Sequence, residues 1–387
     1  MLRANGPLYA AAFCLLFGVG MIVSLLPCKI LALSGSLTHV GGLAAAFALI
    51  FVPAQIPVGR WADRYGFRPL LIGGCLLSGL SGLLYSESQS ILGLFAGRMI
   101  QGLGEVPIWA LGPALLAVRH PQNKARAMGL YNAAIHLGLT AGSLAGIWMV
   151  THPSGNLAFR IYAGLCLLGA LLIRFGVKEP RRQTTEDTPT APFKAPRRNT
   201  LLFTVLLYGA GYGICVSTIP GFLIQVRGLS PQIPALFFTL FYLGISLSQL
   251  TAGPLCDRGH QRPVLITGMA LTALGLAAFS QASPIPLLIL LTLAATGLGS
   301  VCVAALAQLN HGVPDSHKGR ILTQFYLCWG IGYFSLPLIM GTLENPQTWN
   351  MGFITLAVIW ILTAILHWTR PKVTDKKVFY DRRMNRN

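Results

Sequence analysis

Acidic residues are scarce in this chain: eleven Asp and Glu stand among 387 residues, against 29 Lys and Arg. Charged residues of both signs make up only 10%, where a soluble domain carries about 25%. A water-facing surface cannot be covered with so few charges. The eight cysteines are scattered singly with no CxxC, which argues against a disulfide framework or a zinc site. They read as small apolar packing residues. No GxxxxGK[ST] phosphate loop occurs, so ATP-driven work is disfavoured. No HExxH, paired acids or Ser/His/Asp set occurs either, so an enzyme is not expected, and neither a cofactor nor a bound metal is. The alternating ten-residue pattern of a membrane barrel is also absent.

What the chain has instead is apolar length. Hydrophobic residues make up 53% and mean hydropathy is +0.62. Twelve apolar stretches of spanning length are predicted, at 8–33, 39–58, 69–86, 90–117, 127–150, 157–175, 200–225, 232–255, 263–281, 285–309, 321–343 and 348–369. They must be helices, because in lipid only helices and closed barrels satisfy their backbone groups. The first run is about 25 residues, too long for the roughly 7–15-residue core of a signal peptide, so it reads as a retained helix.

The formal net charge of +18 invites a nucleic-acid reading, and the placement of the charges rejects it. With the N-terminus in the cytoplasm, 25 of the 29 Lys and Arg fall in cytoplasmic segments or at their edges. Only Lys29, Arg98, Arg160 and Arg227 remain. That asymmetry is the positive-inside rule, and it predicts a multi-pass protein of the cytoplasmic (inner) membrane with both termini cytoplasmic. A basic tail, 371–387, would touch anionic headgroups.

A charged turn interrupts the apolar runs twice. Gly59 to Leu71 reads G-R-W-A-D-R-Y-G-F-R-P-L-L, and Gly253 to Leu265, 194 positions later, reads G-P-L-C-D-R-G-H-Q-R-P-V-L. Six of thirteen positions agree. Each copy joins the second and third span of its half, which predicts two homologous bundles in parallel repeat. The one composition break, 177–199, holds Pro180, Pro189, Pro192 and Pro196 among charged and Thr residues. It reads as a solvated cytoplasmic linker between a first six-helix bundle (1–176) and a second (200–370). Gly138, Gly142 and Gly146 recur at a spacing that lets helix backbones approach, either as static packing or as a moving interface. Clusters at Gly209/Gly211/Gly213, with Pro220 ending that run, and at Gly297/Gly299 could soften the seventh and tenth spans.

The first turn resembles the G-x-x-x-D-R-x-G-x-R signature of the major facilitator superfamily, matching at Gly59, Asp63, Arg64, Gly66 and Arg68. The fourth span reads R-M-I-Q-G-L-G-E from Arg98 to Glu105 and is similar to the R-x-x-Q-G-x-G segment of that family's drug:proton antiporters. Arg98, Gly102, Gly104, Glu105 and Pro113 also resemble a pattern of Spinster-like lysolipid transporters and organic-anion symporters. The Gly138/Gly142/Gly146 row looks like a degraded antiporter motif, with Ser143 where a Pro stands. The first span lacks the acid that many drug antiporters carry. The resemblance covers nearly the whole chain. It implies an all-α membrane protein of twelve transmembrane helices, a secondary transporter working by alternating access. It also implies that the turn of Gly59, Asp63, Arg64, Gly66 and Arg68, with its copy at Asp257, Arg258 and Arg262, is a conformational switch. In the family that turn clasps the other half on the cytoplasmic side and stabilises the outward-facing state.

Ten of the eleven acids fall in loops, linker or tail, and Glu105 is the exception. A charge at that depth costs several kcal/mol unless paired or hydrated, so Glu105 is a candidate proton-coupling residue or a buried Glu that locks two helices. Arg98 lies seven residues earlier, about 10 Å up the same helix face. It would bind an anionic solute, or lower the pKa of Glu105 and release its proton when a solute competes for the charge, or bond helix carbonyls. The two are too far apart for a direct salt bridge without a mediator. Lys29 is either a snorkelling interface residue or a second cation in the cavity. His136 could relay protons near neutral pH, or be a hydrogen-bonded interior residue. Trp109, Asn132, Gln308, Gln324, Tyr326 and Trp329 complete the expected binding set, with Gln249 and Asn310 as further polar groups. One side of the cavity is thus expected to be charged and the other aromatic and amide-lined, which suits an amphipathic or anionic organic solute. The expectation is a monomeric carrier in the lipid bilayer, coupled to protons and working as an efflux antiporter. A lysolipid or organic-anion carrier is the alternative, and a non-transporting receptor or assembly factor a third.

Overall fold

A computed structural model describes residues 2–120, 124–151, 155–179, 198–310, 315–343 and 345–369. Among the described residues 92% are helical and no strand occurs. Twelve long helical segments follow one another among them. They are α1 (Leu2–Ile22 continued by Leu25–Ser34), α2 (Leu37–Tyr65), α3 (Phe67–Glu87), α4 (Ile91–Arg119), α5 (Lys124–Thr151), α6 (Gly155–Gly176), α7 (Arg198–Gly213 running on to Val226), α8 (Gln232–Asp257), α9 (Gln261–Ala278), α10 (Pro284–Asn310), α11 (Asp315–Gly341) and α12 (Pro346–Thr369). Among the described residues ten helices are long and apolar enough to cross a membrane; α5 and α11 have the length and carry Asn132, His136 and Gln324 within it. Most of the linker and all of the basic tail lie outside the described residues.

Several helices outrun their apolar windows. α2 continues through Arg60 and Arg64, and α11 begins at Asp315, because the hydrogen-bond ladder does not stop where the lipid does. α1, expected as one helix, breaks at Val23–Ser24. α7 is distorted from the end of its glycine cluster through Pro220. Pro220 has no N–H to give, and wide π-turns at Ile214–Thr218 and Phe222–Val226 flank it. α10 runs unbroken through Gly297 and Gly299.

Packing repeats with the sequence. In the first half α1 packs on α5, α2 on α4, α3 on α4 and α3 on α6. In the second half α7 packs on α11, α8 on α10, α9 on α10 and α9 on α12. The halves meet through α2 against α11 and α5 against α8, and these pairings are images of each other under the repeat. A Cβ on Gly142 would stand 1.9 Å from the Phe17 carbonyl oxygen, and Gly138 and Gly146 approach the Phe13 and Met21 carbonyls similarly. The glycine row therefore closes α1 onto α5 inside one half. Gly209 and Gly213 do the same against the Trp329 and Tyr333 carbonyls of α11.

The repeated turn has a structural job in both halves. Arg68 donates from Nη2 to the Arg174 carbonyl at the end of α6. Arg262 donates from Nη2 to the Trp368 carbonyl at the end of α12, at 2.5 Å, and from Nε to the His367 carbonyl at 3.1 Å. Donor and acceptor both recur 194 positions on. Each arginine thus satisfies the orphan carbonyls of its half's last helix. The first turn is closed by Gly66 at φ 91°, which frees its neighbours for helix, and Glu179 accepts from the Phe67 and Arg68 N–H groups at 2.7 and 2.9 Å. The second turn is longer, with Gly259 at φ 87°.

Candidate functional site

A cavity of about 480 Å³ lies between the halves, in the size range of a small-molecule site. α1, α2, α4 and α5 line it from one half, and α7, α8, α10 and α11 from the other. On the side away from the repeated turns it is shut. Thr38 Oγ1 donates to the Gly341 carbonyl at 2.5 Å, Ser217 Oγ to the Val40 carbonyl at 2.9 Å, and Gln225 Nε2 to the Gly35 carbonyl at 2.9 Å. Below these bonds the Phe47 ring meets Tyr333 and the Phe51 ring meets Trp329, each pair with centroids 6.0 Å apart. On the turn side the lining residue Asn132 is exposed, and neither Gly59 nor Gly253 has a heavy atom within 4 Å of where a Cβ would stand. Pro113 and Asn310 extend the lining in that direction.

The polar chemistry runs down one face of α4, at positions 98, 101, 105 and 109. Arg98 Nη1 donates to Gln101 Oε1 at 2.9 Å, and Gln101 Nε2 donates to Glu105 Oε1 at 2.8 Å. Trp109 Nε1 donates to Glu105 Oε2 at 3.1 Å. Spacings of three and four residues stack these side chains one turn apart. Glu105 is 4% exposed and Gln101 1%. Arg98 also donates from Nε to the Leu43 carbonyl at 3.1 Å and lies over the Phe47 ring at 4.9 Å. No ion pair joins Arg98 to Glu105 among the described residues; the Gln101 amide stands between them. The opposite wall is aromatic: Trp329 stacks on Tyr333 at 4.9 Å, and Tyr212 meets Trp329 edge-on at 6.0 Å.

Of the residues expected at the site, Arg98, Glu105, Trp109, Asn132, His136, Tyr326 and Trp329 line the cavity, as do Gln249 and Asn310. Gln249 and His136 face this cavity from opposite halves. Three do not line it, which corrects the expectation. Lys29 gives its ammonium to the Tyr85 and Ser86 carbonyls at 2.5 and 3.3 Å and to Asn156 Oδ1 at 3.2 Å, so it holds the end of α3 against α6. Gln308 donates to the Gln261 carbonyl at the start of α9. Gln324 lies outside the lining, with its Oε1 buried and unpartnered. The turn residues Gly59, Arg64, Gly66, Arg68, Asp257, Arg258 and Arg262 are remote from the cavity, and the Asp63 side chain lies outside the described residues. Gln101, part of the R-x-x-Q-G-x-G match but not of the expected site, also lines the cavity, as do the Tyr208, Tyr212, Tyr242 and Tyr333 phenols. The 98/101/105 spacing places Gln101 between Arg98 and Glu105.

A model of the Major Facilitator Superfamily matches residues 8–237 and again 201–385. The chain belongs to the major facilitator superfamily. It is therefore a multi-pass membrane transporter and not an enzyme. The transporter is 25% identical over 382 residues to the class C tetracycline resistance protein of Escherichia coli, covering 90% of this chain and 91% of that one. Its fold matches a mutant of the nucleoside transporter NupG with a TM-score of 0.80 at 14% identity, over 94% of this chain and 99% of the other. It also matches a bacterial homologue of the human lysosomal transporter Spinster, solved inward-facing and occupied, with a TM-score of 0.74 at 16% identity over 95% and 97%. The transporter thus presents a buried carboxylate and a guanidinium, joined by one amide, to a cavity walled by aromatic rings.

Proposed function

We propose that this transporter moves a small amphipathic or anionic organic solute across the cytoplasmic membrane by alternating access, with Glu105 as the proton-coupling group and export as the direction. One observation carries the reading: among the described residues Glu105 is the one carboxylate lining the cavity, and it shares a continuous hydrogen-bonded face with Arg98. A charge held there in low dielectric must be neutralised or paired when the cavity closes, which links proton uptake to occlusion. Export accords with the resistance protein that the chain resembles along most of its length. The rocking units are the bundles 1–176 and 200–370, joined by the 177–199 linker. The termini and the turn side face the cytoplasm, so the cavity described is inward-open, and the chain works as a monomer.

The guanidinium of Arg98 favours a second reading. An anion that takes Arg98 withdraws positive charge from Glu105 and favours its protonation. Proton and anion then bind together, which is cotransport. A solute that takes the Glu105 carboxylate instead competes with the proton, which is exchange. A thermal-shift screen of purified protein against organic anions, cations and lysolipids finds the solute class. Proteoliposome uptake of each hit under an imposed pH gradient separates the two readings. Uptake against the proton gradient supports export by exchange, uptake with it supports cotransport, and no response of any hit to the gradient overturns coupling at Glu105.

A further inference from the structure

Gln101 makes three hydrogen bonds to charged or phenolic partners, and its environment decides how its amide is turned. Its Oε1 accepts from the Tyr85 hydroxyl at 2.6 Å and from Arg98 Nη1 at 2.9 Å. Its Nε2 donates to Glu105 Oε1 at 2.8 Å. A guanidinium has five N–H donors and no acceptor. Turning the amide over would set its NH₂ group against Arg98, donor facing donor, in a site that is 1% exposed. Arg98 therefore pins the amide, and Gln101 keeps an N–H pointed at Glu105 Oε1. That oxygen stays an acceptor in either protonation state. The other oxygen, Oε2, faces Trp109 Nε1 at 3.1 Å and is the one free to take a proton. Once it becomes O–H, it is a much weaker acceptor for the indole N–H, which is donor only.

We propose that Gln101 is a positioning residue that directs the proton to Oε2 of Glu105, and so makes the Trp109 indole the group that leaves when Glu105 is protonated. The inference rests on Glu105 being the coupling acid. A hydronium ion in the cavity gives its proton to Oε2 and leaves as water, the hydrogen bond from Trp109 Nε1–H to Oε2 breaks, and the hydrogen bond from Gln101 to Oε1 persists. Trp109 lines the solute cavity, so its departure reshapes the wall that a solute meets. Protonation is thereby converted into a change at the binding surface, with Arg98 as the fixed anchor of the chain of bonds.

Other ionisable groups surround the acid. Tyr85 (α3), Tyr162 and Cys166 (α6), Tyr212 (α7), Tyr242 (α8) and Tyr333 (α11) lie within electrostatic range, together with Arg98 on α4 itself. Unperturbed phenols, thiols and guanidinium titrate far above a carboxylate. His136 (α5) is, among the described residues lining the cavity, the one whose ordinary range is near neutral, so a His136→Asn background isolates the acid.

The test is fluorine NMR of the full chain in lipid nanodiscs, with 5-fluorotryptophan at its seven Trp positions. The Trp109 resonance is the one lost in Trp109→Phe. The Glu105 carboxyl is followed separately as the infrared band that Glu105→Gln removes. The Trp109 resonance should move with pH at the midpoint of that band, and Glu105→Gln should hold it at its acid-side position at every pH. Gln101→Leu should abolish most of the movement while the band still titrates. A Trp109 resonance that stays still while the Glu105 band titrates overturns the relay and leaves the coupling acid standing. So does full movement in Gln101→Leu, or an alkaline-side position in Glu105→Gln, which changes no packing around Gln101. Absence of any Glu105-dependent band overturns the coupling acid, and the relay with it.

Discussion

Breaking the far-side closure should push the transporter toward the state open on that side. Thr38→Val and Ser217→Ala remove two hydrogen bonds that exist only while the halves touch, to the Gly341 and Val40 carbonyls. In the opened state both hydroxyls and both carbonyls would be hydrated, so the substitutions act on one end of the equilibrium. Each bond contributes about 0.5–1.5 kcal/mol net, so the pair should shift the equilibrium by about 1–3 kcal/mol, or roughly 5- to 150-fold. Gln225 is left in place because its bond to the Gly35 carbonyl is exposed and correspondingly weak. Spin labels at Leu92 and Ile285 report the change. Both are exposed, at the far-side starts of α4 and α10 in opposite halves. Distances between them, measured by pulsed electron resonance with the accessible native cysteines replaced, should show a longer component that grows in the double variant. An unchanged distribution in a folded double variant would mean that the aromatic contacts below, not these bonds, hold the closure.

Gly142→Ala should lower thermal stability by about 1–3 kcal/mol, because the new methyl would stand 1.9 Å from the Phe17 carbonyl oxygen; Gly164→Ala, in a helix and meeting nothing within 4 Å, should keep or raise the melting temperature. Arg98→Ala should weaken binding of an anionic solute by about 1.5–3 kcal/mol and of a neutral one by much less, read by calorimetry on the solute class found by screening. Asp63→Asn should cut transport strongly while leaving affinity within a few-fold, since its turn is remote from the cavity; loss of binding in a folded variant would count against that division.

The architecture was legible because lipid leaves the backbone few options. Apolar length, the charge asymmetry and the repeat at Gly59 and Gly253 each pointed to paired helical bundles. The repeat proved deeper than its residues show. The Arg68 and Arg262 acceptors, at 174 and 368, share no side chain, yet both carbonyls end the last helix of their half. What periodicity could not give was the rotation of each helix. Lys29 and Arg98 looked alike as lone cations near the membrane's far side, and only packing separates them. One caps the end of α3, and the other faces the cavity. Gln101 was invisible by charge-based reasoning because an amide carries none, although its spacing from Arg98 and Glu105 placed it between them. The aromatic wall was also hidden. Tyr and Trp are common in membrane helices, and no pattern within one helix tells a cavity ring from a core ring.

The central claim is that Glu105 couples the proton to the solute. Glu105→Gln keeps the side chain's shape and fixes it uncharged. Reconstituted in proteoliposomes with a solute found by screening, the variant should bind that solute and exchange it across the membrane at equilibrium, while accumulation driven by an imposed pH gradient falls to background. Full gradient-driven accumulation by Glu105→Gln would contradict the account and make Glu105 a structural acid that ties Gln101 to Trp109 and nothing more.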